Sequence, residues 1–208
     1  LRSYKVLKSI NSIFNKYDLH HASVLDFGCG DGFVSKTLAD FPRCEHIMAI
    51  DFFNDAPVYL KNKTSSKVIY KNFNDYNKIK NQEYDLIFCR HVLEHVHHPI
   101  DFLKSLSEHL KSDGYIFIEI PNFNSIWKFV FGKYFSAFNI PRHLYHFNKQ
   151  SLIATVNKAG LTFDTLKQSH FPVLGSSVRY LTGLPFQNLG LSGILLFFRQ
   201  LSCARPLF

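Results

Sequence analysis

Residues 23–32 read Ser-Val-Leu-Asp-Phe-Gly-Cys-Gly-Asp-Gly. The first half of this stretch, Ser23–Phe27, has the apolar character of a buried strand, and its second half is a loop with three alternating glycines. Glycines let the backbone turn tightly and approach a ligand without Cβ clashes. A dinucleotide-binding loop places its third glycine five positions after the first, where this chain has Phe33. The spacing therefore argues against a dinucleotide cofactor.

Strand and helix patterns alternate along the rest of the chain, which predicts an α/β fold. The apolar strand patterns are Ser23–Phe27, His46–Ile50, Val68–Tyr70, Tyr84–Cys89, Tyr115–Ile120 and Leu161–Leu166. The helical patterns run over 6–17, 33–39, 102–110 and 152–159, and Gly114 is expected just after the end of the third. Nearly continuous apolar strands predict a mostly parallel, Rossmann-like central sheet with helices on both faces. Ligands bind beyond the carboxyl ends of such strands.

Composition and charge narrow the class of protein further. The 208 residues include 24 basic and 16 acidic side chains, a net charge of +8, and 46% of the residues are hydrophobic. Lysine and arginine are spread along the chain and no RNA-binding signature is present, so we expect no nucleic-acid partner. The four cysteines form no paired motif, which favours a reduced, cytoplasmic protein.

The apolar run Leu189–Phe198 is the longest near the C-terminus. A membrane-spanning helix needs about 20 apolar residues, so we expect no transmembrane segment. Packing in the core or in a dimer is the favoured role for this run, and peripheral contact with a membrane is the alternative.

The pattern Asp26-x-Gly28-x-Gly30-x-Gly32 resembles the first motif of the class I S-adenosylmethionine-dependent methyltransferases. Asp51 closes the second strand 21 residues after Gly30, where an acidic side chain accepts both hydroxyls of the cofactor's ribose in that family. The resemblance implies a Rossmann-like class I methyltransferase fold with S-adenosyl-L-methionine as the cofactor.

Further positions follow from the same resemblance. It implies that Phe52 packs on the adenine ring and that Asn74 or Asp75 lies near the adenine amine. The complete set of predicted cofactor-binding residues is Asp26, Gly28, Cys29, Gly30, Asp51, Phe52, Asn74, Asp75, Arg90 and His91.

The resemblance covers roughly residues 20–165. Its later segments are Tyr84-Asp-Leu-Ile, Leu93-Glu-His-Val96, Gly114-Tyr with Pro121-Asn122, and Pro141-Arg-His143-Leu-Tyr-His-Phe147. The seventh strand of the family is not visible in the sequence, so residues 170–208 are expected to be divergent or truncated. We predict a single methyltransferase domain over residues 1–208 with an aromatic-rich insert at about 122–148.

His91-x-x-Glu94-His95 matches the inverted zinc-peptidase motif, which makes a zinc hydrolase the least favoured alternative. Pro99 follows too soon for the long helix that such a ligand pair needs. The segment also resembles quinone-biosynthesis O-methyltransferases, in which the Glu and the His are implied ligands of a divalent cation. We favour instead a hydrogen bond between Glu94 and His95, and therefore no metal.

The insert contains nine aromatic residues among 27, which suits either a cover for the sheet or a lid over an acceptor pocket. An imidazole at His143 or His91 is the predicted catalytic base for an acceptor hydroxyl. The predicted activity is methyl transfer to a small-molecule acceptor, with O-methylation favoured and sugar, quinone or lipid-linked acceptors open. A non-catalytic S-adenosylmethionine-binding module is the alternative.

Overall fold

The glycine loop follows the central strand of a parallel five-stranded sheet. In the computed structural model, which describes residues 2–61, 67–74, 82–166, 173–182 and 202–206, the chain divides into two units. Unit 1 comprises residues 1–90 and 104–117, and unit 2 comprises residues 91–103 and 118–208. The assignment of all 208 residues to one methyltransferase domain stays a prediction.

Unit 1 contains most of the predicted sheet. Its strands are β1 (Ala22–Phe27), β2 (Cys44–Asp51), β3 (Val68–Asn72), β4 (Tyr84–Arg90) and most of β5 (Leu110–Glu119), in the order β3-β2-β1-β4-β5. Its helices are α1 (Arg2–Lys16), α2 (Phe33–Ala39) and α3 (Val58–Lys61). The parallel register pairs Phe27 with Ile50, so β1 and β2 end side by side. This alignment places the glycine loop next to Asp51.

The apolar strand patterns correspond to a buried core, which confirms the α/β prediction. Val24 and Leu25 of β1 and Leu86 and Ile87 of β4 are all fully buried. Burial of consecutive residues, rather than of alternate ones, is typical of a parallel sheet covered on both faces.

The third helix and the fifth strand that the sequence predicts have different bounds in the structure. Helix α4 spans Pro99–Ser107, and β5 begins at Leu110, so the expected helical position Leu110 is the first residue of a strand. Gly114 lies inside that strand instead of after a helix. A Cβ at this position would lie 2.9 Å from the backbone oxygen of Tyr84. Close approach of two backbones, and not helix termination, therefore explains this glycine.

Unit 2 contains α5 (Ile126–Phe131), α6 (Lys149–Lys158), α7 (Val173–Thr182), β6 (Leu161–Thr165) and β7 (Ser202–Pro206). Strand β7, which was not visible in the sequence, pairs antiparallel with β6. The expectation that residues 170–208 are divergent or truncated stays a prediction. The sequence analysis did not identify β7 because its sequence, Ser-Cys-Ala-Arg-Pro, lacks an alternating apolar pattern. The apolar run 189–198 lies outside the described residues.

The aromatic insert builds a small core of its own within unit 2. Phe131 and Phe135 are buried, and the partly buried residues packed on them are Trp127, Tyr134, Ala137, Phe138 and Val178. The hydroxyl of Ser177 in α7 accepts a hydrogen bond from the Ser136 backbone N–H at 3.0 Å. Much of the aromatic surface therefore serves packing. Within the described part of the chain, no helix has the length and apolar character needed to cross a membrane.

Candidate active site

Asp51 fastens the end of β2 to the glycine loop. One carboxylate oxygen accepts a hydrogen bond from the Gly30 backbone N–H at 2.7 Å, and the other accepts one from the Phe52 N–H at 2.7 Å. Each carboxylate oxygen has a second lone pair, so the group can still accept two hydroxyls. Gly28 and Cys29 complete the turn through N–H bonds to the Ile50 carbonyl at 2.8 and 3.0 Å. Four predicted cofactor residues therefore lie together in one hydrogen-bonded turn between the ends of β1 and β2: Gly28, Cys29, Gly30 and Asp51.

The loop requires glycine at Gly30 and Gly32 for different reasons. Both adopt left-handed backbone, with φ of 57° and 79°. A Cβ at Gly30 would meet open space, whereas one at Gly32 would lie 2.7 Å from Leu60 Cγ and 3.2 Å from Pro57 Cβ. The surface at Gly30 therefore stays open for a ligand, while Gly32 allows α3 to pack against the loop.

We expect Gly32→Ala to lower the free energy of unfolding by about 3 kcal/mol, and Gly30→Ala by about 1 kcal/mol. Both variants place a Cβ on left-handed backbone, which costs about 1–2 kcal/mol, and only Gly32→Ala adds a steric overlap of about 1–3 kcal/mol. Urea unfolding of the two variants measures the difference. Equal losses would contradict the close approach of α3.

Asp26 is buried in β1 instead of exposed at the surface. Its side chain accepts a hydrogen bond from the Ser35 hydroxyl, which ties β1 to α2. Burial raises the pKa of Asp26 to about 6, although the Ser35 bond and the charge of Arg90 oppose the shift. Asp26 therefore joins the strand before the loop to the helix after it.

Cys29 is also buried, and its burial raises the pKa of the thiol. The thiol therefore stays protonated at neutral pH and is a poor nucleophile.

Phe52 and Asn74 lie beyond the ends of β2 and β3. The Phe52 ring is 70% exposed and contacts the Phe73 ring at 4.7 Å between centroids. Its backbone oxygen accepts a hydrogen bond from the Asn72 amide at 2.9 Å, and the Asn72 oxygen accepts one from the Asn74 N–H. Asn72 thus links two predicted cofactor residues, a role that the sequence analysis missed. Asp75 lies outside the described residues.

His143 is a nearly buried histidine of unit 2 that is held by a backbone carbonyl. Its Nδ1 lies 2.9 Å from the Ala137 carbonyl oxygen, and its side chain is 9% exposed. Because a carbonyl only accepts, Nδ1 carries the hydrogen and Nε2 has the free lone pair. Burial lowers the pKa of His143. The neutral imidazole, which is the form that acts as a base, is therefore favoured.

A shallow depression that is open to solvent lies beside His143 in unit 2. Aromatic and polar groups line it: Pro121, Asn122, Phe123, Phe135, Ala137, His143, Tyr145 and His146. An aromatic wall with a few polar groups is typical of a small-molecule site.

His91 and its neighbours form the second cluster of predicted residues. His91 Nδ1 lies 3.3 Å from Glu94 Oε1, and His91 Nε2 lies 3.9 Å from Glu119 Oε1. His95 Nδ1 instead contacts the Arg142 carbonyl at 2.7 Å. The expected hydrogen bond between Glu94 and His95 is therefore not formed: Glu94 contacts His91, and His95 contacts the Arg142 carbonyl. The sequence analysis did not identify Glu119, which lies near His91 because β5 brings it there.

The zinc-hydrolase motif lacks the helix that it requires. Leu93–His95 is a single 3₁₀ turn, and His91 precedes it with a left-handed φ of 54°. His91 and His95 therefore do not lie one turn apart on a helix, as the zinc-hydrolase motif requires. Glu94, His95 and His143 offer one ligand atom each within 4.8 Å of the others, which is close enough for one metal ion to reach all three.

Comparisons with known proteins identify the family of the chain. The methyltransferase domain family matches residues 2–166, so the chain belongs to that family. The ubiquinone biosynthesis O-methyltransferase of Hydrogenovibrio crunogenus is 29% identical over 123 residues, which are 57% of this chain and 48% of that protein. The enzyme of the same name from Nitrosomonas europaea is 24% identical over 206 residues, 86% of each chain.

A solved S-adenosylmethionine-dependent methyltransferase from Methanosarcina mazei has the same fold. It superposes with a TM-score of 0.64 at 18% identity, over 94% of this chain and 97% of that one. The fold and the family together define a class I methyltransferase domain, a class whose methyl donor is S-adenosylmethionine. The chain spans about half the length of most of the curated relatives it matches.

Proposed function

We propose that this chain transfers the methyl group of S-adenosylmethionine to a hydroxyl of a small-molecule acceptor. The observation that carries the proposal is the Asp51 carboxylate, which closes the glycine loop while keeping lone pairs for the ribose hydroxyls. Gly28, Cys29 and Gly30 supply the turn, and Phe52 supplies an exposed aromatic face for the adenine. Asp26 connects the strand before the loop to the helix after it, and the charge of Arg90 favours the ionised form of Asp26.

The acceptor side of the proposal rests on unit 2. His143 presents Nε2 as a base, and aromatic side chains line the depression beside it, which favours a planar aromatic acceptor. The names of the ubiquinone O-methyltransferase relatives favour a quinone precursor over a sugar or lipid-linked acceptor. His91, which is hydrogen-bonded to Glu94, is the second candidate base.

The reaction needs no covalent intermediate on the protein. The acceptor oxygen forms a bond to the methyl carbon as the bond from carbon to sulfur breaks, and the hydroxyl proton goes to His143 Nε2. S-adenosylhomocysteine, the methyl ether and an imidazolium are the products. Alignment of two reactants contributes up to about 7–11 kcal/mol to such a step, and a positioned base contributes about 10²–10⁴-fold.

We expect S-adenosylhomocysteine to raise the melting temperature of the chain by about 5–10 °C when present at a hundred times its Kd. Binding at that concentration adds about 2.7 kcal/mol to the free energy of unfolding, and each kcal/mol shifts a domain of this size by about 2–4 °C. Thermal-shift titration measures the effect, with NAD and zinc as parallel controls. A folded chain stabilised by NAD or zinc alone would contradict the proposed cofactor.

Methyl transfer itself is tested with S-adenosylmethionine labelled in the methyl group and a panel of catechols, phenols and sugars. Label in a phenolic product supports the proposal. Cofactor binding without transfer to any acceptor would favour the non-catalytic binding module instead.

A further inference from the structure

Helix α5 exposes an apolar face to solvent. Ile126, Phe129 and Val130 are 63%, 78% and 62% exposed. Their spacing of three and four residues places the three side chains on the same face of the helix. The opposite face carries Trp127 and Phe131, which belong to the small core of the insert. Single exposed apolar residues are common, but three large ones side by side form a patch of the kind that marks an interaction surface.

Basic side chains lie beside this apolar face. Lys128 Nζ lies 5.1 Å from the centroid of the exposed Phe129 ring and 3.9 Å from that of Phe123. Lys133 follows the end of α5 by two residues, and its Nζ lies 5.2 Å from the Tyr134 ring centroid. Ammonium groups next to an apolar helix face are typical of proteins that lie on a membrane, where apolar side chains enter the lipid and the cations meet phosphates.

The distribution of acidic residues gives this part of the chain a positive charge. Residues 1–119 contain 15 basic and 15 acidic side chains, whereas residues 120–208 contain 9 basic side chains and one acidic one, Asp164. The whole net charge of +8 therefore comes from residues 120–208. Such a charge is complementary to the anionic headgroups of a lipid surface.

Helix α7 shows the same combination of charge and exposed apolar groups. It packs on the core of the insert through Val178 and exposes Arg179, Tyr180 and Leu181. Neither α5 nor α7 contains an acidic residue. Nucleic acid is bound chiefly through its phosphates, by Lys and Arg, which would leave the exposed apolar side chains unexplained. The combination therefore favours a lipid surface.

We propose that the α5 face, which consists of Ile126, Phe129 and Val130 with Lys128 and Lys133 beside them, docks on an anionic lipid surface. The three apolar side chains enter the boundary between headgroups and acyl chains, and the two ammonium groups lie at the level of the phosphates. The docking does not depend on methyl transfer, so this proposal goes beyond the proposed function.

The depression beside His143 adjoins this surface. Phe123 lines the depression, and the same ring contacts Lys128. Docking through α5 therefore brings the proposed acceptor site close to the lipid.

The first test measures sedimentation of the full chain with vesicles of phosphatidylglycerol, and with vesicles of phosphatidylcholine as the neutral comparison. We expect binding to the anionic vesicles to be at least about tenfold stronger, because each basic side chain near an anionic surface contributes about fivefold. The binding should weaken as salt is added, since exposed charges are screened. Equal binding to both kinds of vesicle, or binding to neither, would overturn the proposal.

Substitutions in α5 test which surface docks. Phe129→Ser combined with Val130→Ser should weaken binding to phosphatidylglycerol vesicles at least about tenfold, because two apolar side chains no longer enter the lipid. Lys128→Gln combined with Lys133→Gln should weaken it by about tenfold or more, through the loss of two charges. Wild-type binding in both pairs would show that the α5 face does not dock.

Two matched pairs in unit 1 control for general loss of charge or apolar surface. Leu7→Ser with Val58→Ser removes two exposed apolar side chains, and Lys8→Gln with Lys104→Gln removes two exposed charges. We expect both pairs to bind the vesicles as the wild type does. Losses equal to those of the α5 pairs would mean that overall charge and hydrophobicity, rather than α5, determine binding, and would overturn the proposal.

Trp127 reports on α5 directly, because it is the one tryptophan among the 208 residues. Brominated acyl chains quench the fluorescence of an indole that they approach. We expect phosphatidylglycerol vesicles with brominated chains to quench Trp127 in the wild type, and to quench it much less when Phe129 and Val130 are serine. Vesicle binding without quenching would assign docking to another segment, such as the apolar run 189–198, and would overturn the role of α5.

Other occupants of the α5 face give different results. A second copy of the chain would produce a dimer in analytical ultracentrifugation that Phe129→Ser dissociates, with no binding to vesicles. A nucleic acid would bind the wild type and not the Lys128→Gln, Lys133→Gln pair, again with no binding to vesicles. Either result would overturn the lipid proposal. The α5 variants should keep the thermal shift with S-adenosylhomocysteine, so a loss of vesicle binding and a loss of cofactor binding are distinguished.

Discussion

Asp51→Ala should weaken the binding of S-adenosylhomocysteine by about 100-fold or more. The carboxylate holds the Gly30 and Phe52 N–H groups at 2.7 Å and is the proposed partner of both ribose hydroxyls. Hydrogen bonds to a charged group contribute about 1.5–3 kcal/mol each, so two lost ribose contacts correspond to about 3 kcal/mol or more, or at least about 100-fold. Isothermal titration calorimetry measures the affinity directly.

Two controls separate lost contacts from a damaged loop. Asp40→Ala removes an exposed carboxylate of the same unit, which pairs with Lys36 at the surface, and should leave affinity unchanged. Asp51→Asn keeps one oxygen acceptor and should fall between the wild type and Asp51→Ala. Wild-type affinity in Asp51→Ala, in a chain that unfolds cooperatively, would remove Asp51 from the ribose site.

The proximity of the glycine loop and Asp51, the candidate cofactor site, was predictable because its signals are local. The glycine spacing, the strand before it and the acid 21 residues after Gly30 are all visible in one short stretch of sequence. Parallel pairing of β1 with β2 then places the two strand ends together, since neighbouring parallel strands align their carboxyl ends. The structure adds the bond from Gly30 to Asp51, which spacing alone does not specify.

The acceptor side was less predictable because its contacts join distant segments. His95 reaches the Arg142 carbonyl across 47 residues, and the Glu94 carbonyl accepts from Leu144 and Tyr145. No periodic pattern encodes such pairings, so proximity in sequence suggested the wrong partner for Glu94. The misplaced start of β5 has a similar cause: Leu110 fits a helical spacing, and its strand conformation is set by tertiary pairing.

His143→Gln should lower kcat by about 10²–10⁴-fold and leave the affinity for S-adenosylhomocysteine unchanged. The side chain is the proposed base, and a positioned base contributes a factor of that size. The matched control is His98→Gln, which removes an exposed imidazole of the same unit. Wild-type turnover in His143→Gln would eliminate His143 from the mechanism and leave His91 as the candidate base.

The pH dependence of the wild type provides an independent check on His143. Burial lowers the pKa of His143 below its ordinary value of 6.5, and the reactive form is the neutral imidazole. The neutral base is therefore fully present at pH 7 and is lost only as the pH falls through the lowered pKa. We expect kcat to stay constant from pH 8 to about 6.5 and to decline at lower pH. A decline that begins well above pH 6.5 would show that another group controls the rate.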